Sequence, residues 1–562
     1  EIPKRDWSSD VCSSDLVCLR LKKCLTVKNN EERDMIKILV SDKLSTEGLE
    51  ILKAVKEFQV DHKVGMSPEE LKSVIKDYAA LIIRSETKVT AEIIEAAAQL
   101  KFIGRAGVGV DNVDLKAATK KGIVVMNTPG GNTTSTAEQT MSLILALSRN
   151  IPQACASLKA GKWERSKFTG VELYGKTLGV VGLGRIGATV ARMAKAFGMK
   201  IIGYDPFIAV ELAKQLGAEL VDKEELLKRA DYITIHVPKS TETKSFISDK
   251  EIEMMKKDVR IINCARGGIV DEAALIRALE TGRIKGCALD VYEKEPPDFN
   301  SPLFKFDNCV ASPHLGASTS EAQVNVAIEI AETVRNALLG HGIVNATNFP
   351  SIDAETYKIL EPYIELSERM GKFAGQLIDG RIKEIKIAYS GILCDHKTAS
   401  VSMALVYGIL KPVLGESVNL VNALDVAKER VIKIEEIKSN EKQEFVNLVR
   451  IVIVTDKSPF TLYGTLSSNQ QPRIVKVNNV YVEAVPQGYM LYINNNDRPG
   501  IVGAVGTILG KNKVNIASIT FGREVKGGLV TSVVNVDNEV PEAVIRELEQ
   551  TPDIVFVKLI KV

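Results

Sequence analysis

A glycine-rich turn, Gly182-Leu183-Gly184-Arg185-Ile186-Gly187, follows the apolar run Leu178-Gly179-Val180-Val181 and opens an amphipathic stretch that ends at Gly198. No other feature limits the fold of this chain so strongly. A GxGxxG alone is a weak signal, but here a second β-rich run, Lys200 to Tyr204, ends in Asp205, 18 residues beyond Gly187. That is near the spacing at which an acid meets a nucleotide ribose. The order strand, glycine turn, helix, strand predicts a parallel βαβ unit with a pyrophosphate at the helix start, where unpaired N–H groups attract its charge. Asp205 can accept hydrogen bonds from ribose hydroxyls, whereas its charge opposes a 2′-phosphate, so NAD is expected rather than NADP.

The same alternation of short β-rich runs and helical stretches extends both ways. Strands are expected at Ile36–Val40, Ala80–Ile83, Phe102–Gly104 and Ile123–Met126, with helices at 68–76 and 90–99. From Lys176, six strands near 178–181, 200–204, 232–237, 260–264, 286–291 and 309–312 predict a doubly wound parallel sheet. Ser135-Thr136-Ala137-Glu138 looks like a capped start for a helix with an apolar face to Leu147, crossing between lobes. A helix from Ser318 to Leu339 is expected to return to the first lobe. The expected division is a discontinuous lobe (35–134 and 318–349), a dinucleotide domain (135–317), an intervening α/β domain (350–487) and a C-terminal unit (488–562). In the intervening region, helices are expected at 356–378, 398–414 and 421–430 and strands at 446–455 and 473–485. The last unit reads βαββαβ, the ferredoxin-like order. Residues 1–34 show no periodicity and read as a non-native, unstructured leader ahead of Met35.

Length and charge exclude several classes of function. At 562 residues the chain holds about three to four domains. Lysine plus arginine (73) nearly balances aspartate plus glutamate (71), so no nucleic-acid or anionic-membrane footprint is expected. No apolar run is long enough for a membrane helix. Eight cysteines without a CxxC pair suggest a reduced, cytoplasmic setting and no metal site.

Oxidising an alcohol with a nicotinamide cofactor requires a proton acceptor and a cation for the substrate's carboxylate or carbonyl. The chain has five histidines. Three candidate residues follow expected strands of the doubly wound sheet: Arg266 in Asn263-Cys264-Ala265-Arg266-Gly267-Gly268, Glu295 in Glu293-Lys294-Glu295-Pro296-Pro297, and His314 in Ser312-Pro313-His314-Leu315-Gly316-Ala317. The carboxyl ends of such strands form the ligand crevice. Glu293 competes with Glu295 for the acid role, and His236 ends another strand, where it reads as cofactor packing. A nucleophilic Cys264 has no histidine pattern to support it.

In these motifs the chain resembles the D-isomer-specific 2-hydroxyacid dehydrogenases over about residues 36–340. The resemblance implies a flavodoxin-like substrate lobe beside a Rossmann domain. It makes His314 the general base, Glu295 its carboxylate partner, and Arg266 the ligand of the substrate's carboxylate and carbonyl oxygen. It places the NAD contacts at Val108, Gly182, Gly184, Arg185, Ile186, Gly187, Asp205, Val237, Cys264, Ala265, Asp290, Leu315, Gly316 and Ala317.

Further loops resemble the long phosphoglycerate dehydrogenases: Arg84-Ser85-Glu86-Thr87, Gly104-Arg105-Ala106-Gly107-Val108-Gly109-Val110-Asp111-Asn112, Asn127-Thr128-Pro129-Gly130-Gly131-Asn132 and Gly161-Lys162-Trp163-Glu164-Arg165. A phosphate calls for more than one guanidinium. The resemblance implies 3-phosphoglycerate as substrate, with Arg84, Ser85, Arg105, Gly107, Asn132 and, across a subunit boundary, Arg165 as its ligands. The C-terminal unit resembles an ACT domain, which implies an L-serine effector held by Asn495, Asp497 and Asn515 between chains of a homo-oligomer, expected as a tetramer. The rival readings are another reductase of this family, acting on glyoxylate, hydroxypyruvate or 2-oxoglutarate, and a NAD-sensing interaction protein on the same fold.

Overall fold

Strands Ile36–Val40, Phe58–His62, Ala80–Ile83, Phe102–Arg105 and Val124–Met126 pair in parallel in the spatial order second, first, third, fourth, fifth. This is the flavodoxin-like order expected for the first lobe. The computed structural model describes residues 35–439 and 445–562; the expected leader, 1–34, lies outside the described residues. The edge strand Phe58–His62 escaped the sequence reading because only Phe58 is buried, and Gln59, Asp61 and His62 blur its alternation. Helix Ser320–Leu338 returns to this sheet, so close to helix Thr46–Lys53 that a Cβ on Gly48 would fall 2.7 Å from the carbonyl oxygen of Ala327.

The second sheet runs Cys309–Ala311, Gly286–Leu289, Arg260–Asn263, Tyr232–Ile235, Thr177–Val181, Lys200–Tyr204, Ala218–Leu220, all parallel. It has seven strands rather than the expected six, since the three-residue Ala218–Leu220 is too short to leave a pattern. The order reverses between Thr177–Val181 and Tyr232–Ile235, the switch point where such sheets bind ligands. Helix Thr133–Arg149 covers one face. It begins two residues before the expected cap: Ser135 and Thr136 are buried inside it, and their hydroxyls donate to the carbonyl of Gly316 at 2.8 and 3.0 Å.

In the intervening region, helices Ala354–Leu377 and Ala399–Leu414 cross in backbone contact. A Cβ on Gly371 or Gly408 would fall 2.3 Å from the carbonyl of Leu405 or Glu368. They pack on a mixed six-stranded sheet. The strand expected over 473–485 is two, Pro472–Val477 and Val480–Ala484, because Asn478 turns the chain with φ 51°. The C-terminal unit has the expected βαββαβ order, with strands arranged Ile516–Arg523, Leu529–Val536, Tyr489–Asn496, Ile554–Lys561. One apolar core joins the first lobe, the intervening region and this unit, running from Ile38 and Val334 through Leu360 and Ile387 to Tyr492.

Candidate active site

The three glycines of the turn meet three different surroundings. Gly182 has φ 88°, and a Cβ there would fall 2.7 Å from the carbonyl oxygen of His236. At Gly187 a Cβ would lie 1.9 Å from the carbonyl oxygen of Gly182, so only glycine lets helix Arg185–Ala196 sit this near its strand. Gly184, the cap of that helix, faces open space. A tight turn, a close helix and an open side at the helix start fit a pyrophosphate. Asp205 ties the turn to the next strand: Leu183 N–H donates to its Oδ2 and Phe207 N–H to its Oδ1, each at 2.9 Å. Val237 packs against Gly182, and Ile186 is half-buried beside it, while Arg185 is exposed at the helix start.

His314 follows strand Cys309–Ala311 and Glu295 follows Gly286–Leu289, its neighbour in the sheet. His314 Nδ1 lies 2.7 Å from Glu295 Oε2. Burial works to raise the Glu295 carboxyl, but the bond and charge of His314, the Tyr292 N–H and Arg266 outweigh it and hold the group below the usual carboxylate range. An ionised Glu295 accepts, so Nδ1–H donates and Nε2 keeps its lone pair for a substrate. Glu293, the competitor, accepts instead from the N–H of Glu272 at 3.2 Å, at the start of helix Glu272–Glu280.

His314 takes a left-handed backbone, φ 54°, uncommon for a side chain with a Cβ. Asp290 holds it there. The His314 N–H donates to the Asp290 carbonyl at 2.9 Å, and the Asp290 carboxylate accepts from Leu315 N, Gly316 N and Ser312 Oγ at 2.8, 2.8 and 2.6 Å. Asp290, expected among the cofactor contacts, is fully buried, and both of its carboxylate oxygens brace the histidine loop. Gln139 donates to Ser312 Oγ from helix Thr133–Arg149. Leu315 stays exposed beside the loop, and Ala317 is the next residue after Gly316.

Arg266 lies after strand Arg260–Asn263. Its preceding loop is fixed by Asn263, which accepts from Ala265 N at 3.0 Å and donates to the Arg266 carbonyl at 3.0 Å. Its Nε donates to Asp111 of the other lobe at 3.1 Å. The Cys264 side chain is buried, and burial pushes its thiol up to about 12, which disfavours the thiolate that a nucleophile needs. Burial likewise pulls the His236 imidazole down to about 3, so it is neutral near pH 7, and its Nε2 meets Thr234 Oγ1 at 3.0 Å.

Arg84 and Arg105 end adjacent strands of the first lobe. Burial, the charge of Arg266 and that of Arg84 depress the Arg105 guanidinium to about 10 against the opposing pull of Asp111 and Asp42, which places three guanidiniums in one field. Arg105 Nε is buried with no protein partner, and a Cβ on Gly107 would fall 2.2 Å from its Nη1. Val108 is half-buried next to Gly107, its carbonyl bonded by the Asn127 side chain. Asp42, which the sequence reading missed, shapes the loop of Arg84 and the exposed Ser85: it accepts from Arg84 N, Thr87 N and Thr87 Oγ1 at 2.5, 3.2 and 2.5 Å. Asn132 Oδ1 is another buried acceptor without a partner. Arg165 lies elsewhere, on the exposed segment Arg165–Phe168, sharing a groove with Arg149 and Trp163.

The three effector residues do not meet within one chain. Strand register sets Asn495 opposite Val530, which pairs with Arg523, whereas Asn515 precedes Ile516 at the far end of the same sheet, roughly 20 Å away at about 3.3 Å per residue. Asp497 is also engaged, accepting from Arg523 and from Gly527 N at 2.5 and 2.9 Å. Asn515 donates to Asp537 at 2.6 Å, and Asn495 Oδ1 is buried without a partner.

Three family models match. The D-isomer specific 2-hydroxyacid dehydrogenase NAD binding domain covers residues 141–316, the D-3-phosphoglycerate dehydrogenase intervening domain 359–478, and the ACT domain 489–553. The D-3-phosphoglycerate dehydrogenase of Methanocaldococcus jannaschii is 46% identical over 94% of this chain and 100% of its own length. The chain belongs to the D-3-phosphoglycerate dehydrogenase family. The Bacillus subtilis D-3-phosphoglycerate dehydrogenase is 42% identical over 94% of this chain and 99% of its own. A solved D-lactate dehydrogenase from Aquifex aeolicus, complexed with NAD and lactic acid, is 29% identical with TM-score 0.50, covering 56% of this chain and all of that one. As a member of this family the protein is a NAD-dependent dehydrogenase with an ACT domain. Among the described residues no helix is long and apolar enough to cross a membrane.

Proposed function

We propose that this chain oxidises 3-phospho-D-glycerate to 3-phosphohydroxypyruvate, the step that commits carbon to serine, with His314, Glu295 and Arg266 as its catalytic residues. The observation that carries the reading is the convergence of Arg84, Arg105 and Arg266 beside the His314–Glu295 pair. Residues around Gly182, Gly184, Gly187 and Asp205 would hold NAD, which supplies the hydride acceptor when bound. His314 Nε2 takes the hydroxyl proton, and Glu295 steadies the resulting imidazolium through Nδ1. Arg266 grips the carboxylate and balances charge on the carbonyl oxygen. Arg84 and Arg105, with Arg105 Nε awaiting an acceptor, take the phosphate. In the reverse direction His314 returns the proton.

The separation of Asn495 and Asn515 supports an effector site made by two chains, each giving the opposite end of its sheet, and with it a homo-oligomer, a tetramer if Arg165 serves a neighbour's crevice. L-Serine is the effector this reading names; its carboxylate and ammonium suit the amides of Asn495 and Asn515. Reaction in the cytoplasm belongs to the same proposal. NADH formation from a panel of 2-hydroxy acids, with and without L-serine, tests it. Preference for glycerate or lactate over 3-phosphoglycerate would overturn the substrate, and turnover indifferent to serine would overturn the effector.

A further inference from the structure

Two acids lie in the field of the three arginines, and the fold treats them differently. Asp42 is buried and held by three hydrogen bonds from the Arg84–Thr87 loop. Asp111 sits between strand Phe102–Arg105 and helix Leu115–Lys121, with its side chain 67% exposed. Its Oδ2 reaches across the crevice to Nε of Arg266, whose side chain is only 27% exposed. Gly109 makes this approach possible: a Cβ there would fall 1.9 Å from Arg266 Nη2 and 2.7 Å from Asp111 Oδ2. Nη1 of Arg266 is turned the other way, to the Ala265 carbonyl at 2.7 Å.

The Nε–Nη2 edge of Arg266 is thus the one presented to the opposite lobe, and Asp111 of this chain already accepts from its Nε. A guanidinium edge accepts one carboxylate in the bidentate manner. We propose that Asp111 competes with the substrate's carboxylate for Arg266 and so sets how strong an anion must be to enter the site. The inference rests on the reading of Arg266 as the carboxylate ligand. Because Asp111 is mostly exposed, it can leave Arg266 for water at little desolvation cost, and exposed ion pairs are weak enough for a well-aligned ligand to displace. An anion that accepts from Nε alone only replaces the bond it displaces and is disfavoured against a carboxylate that also takes Nη2.

The test compares wild type with Asp111→Asn and Arg266→Gln, reading KM for 3-phosphoglycerate, kcat, and the inhibition constant of oxalate as a carboxylate probe. Relief of the competition should lower both KM and the oxalate constant about two- to fivefold in Asp111→Asn, the range set by an exposed ion pair, without lowering kcat. Arg266→Gln should lose oxalate affinity. If Arg266→Gln loses it while Asp111→Asn binds oxalate like wild type, the competition is overturned and the role of Arg266 stands. A lower kcat at unchanged KM in Asp111→Asn would also overturn it, making Asp111 an orienting partner of Arg266. Unchanged oxalate binding in Arg266→Gln would remove the carboxylate role itself, and the proposal with it.

Discussion

His314 and Glu295 meet at 2.7 Å although 19 residues separate them, because their loops leave neighbouring parallel strands at the same end of the sheet. The pair gives the histidine one defined tautomer and one exposed nitrogen. Removing either member has a different consequence.

His314→Gln deletes the proposed proton acceptor and should lower kcat by roughly 10²-fold or more, with NAD affinity little changed. Glu295→Gln keeps the shape but removes the charge that opposes the imidazolium, so kcat should fall less, by about tenfold. Steady-state kinetics with cofactor titration checks both. Equal losses in NAD binding and turnover would place the pair outside the chemistry.

The glycine turn offers a sharper contrast. Gly184 faces open space with φ −66°, so Gly184→Ala should fold normally yet weaken NAD, as the added methyl would stand in the space proposed for the pyrophosphate. Gly187→Ala drives a methyl onto the Gly182 carbonyl and should cost about 1–3 kcal/mol of stability, the usual range for overpacking. Thermal melts with and without NAD separate the two. A stable Gly187→Ala with tight NAD would contradict the packing argument.

Local pattern made the sheets readable, since βαβ periodicity, the glycine turn and the strand-end positions of Arg266, Glu295 and His314 all lie within short windows of sequence. Long-range polar wiring was not readable. Asp42 acts through partners up to 45 residues away, and nothing adjacent marks it; Asp290 was picked out by its motif, but its bonds to a loop up to 26 residues on were not. Ser135 looked like a cap because its local sequence fits one, yet its hydroxyl serves Gly316, 181 residues on. Asp497 and Asn515 read as one site because both lie at junctions; only register shows that those junctions are at opposite ends of the sheet.

Arg84 and Arg105 allow a test of substrate choice. A charged hydrogen bond is worth about 1.5–3 kcal/mol, so Arg84→Ala or Arg105→Ala should raise KM for 3-phosphoglycerate by roughly 10- to 150-fold. An unphosphorylated 2-hydroxy acid makes no such contact and should change far less. Comparable losses on both substrates would place these arginines outside the phosphate pocket.

His236 predicts how the dinucleotide domain responds to acid. Burial lowers its pKa from the ordinary 6.5 to about 3, so the unfolded chain binds a proton across a range where the folded one does not. The stabilisation is therefore complete above about pH 6.5 and is lost as pH falls toward 3, the loss amounting to about 2 kcal/mol by pH 5. His236→Gln retains a partner for Thr234 and has no proton to gain. Denaturant unfolding at pH 8 and pH 5 should therefore show wild type losing about 2 kcal/mol more than the variant on acidification. Parallel losses in the two proteins would mean that His236 already reaches water in the native fold, and that the crevice behind Gly182 is wetter than its packing shows.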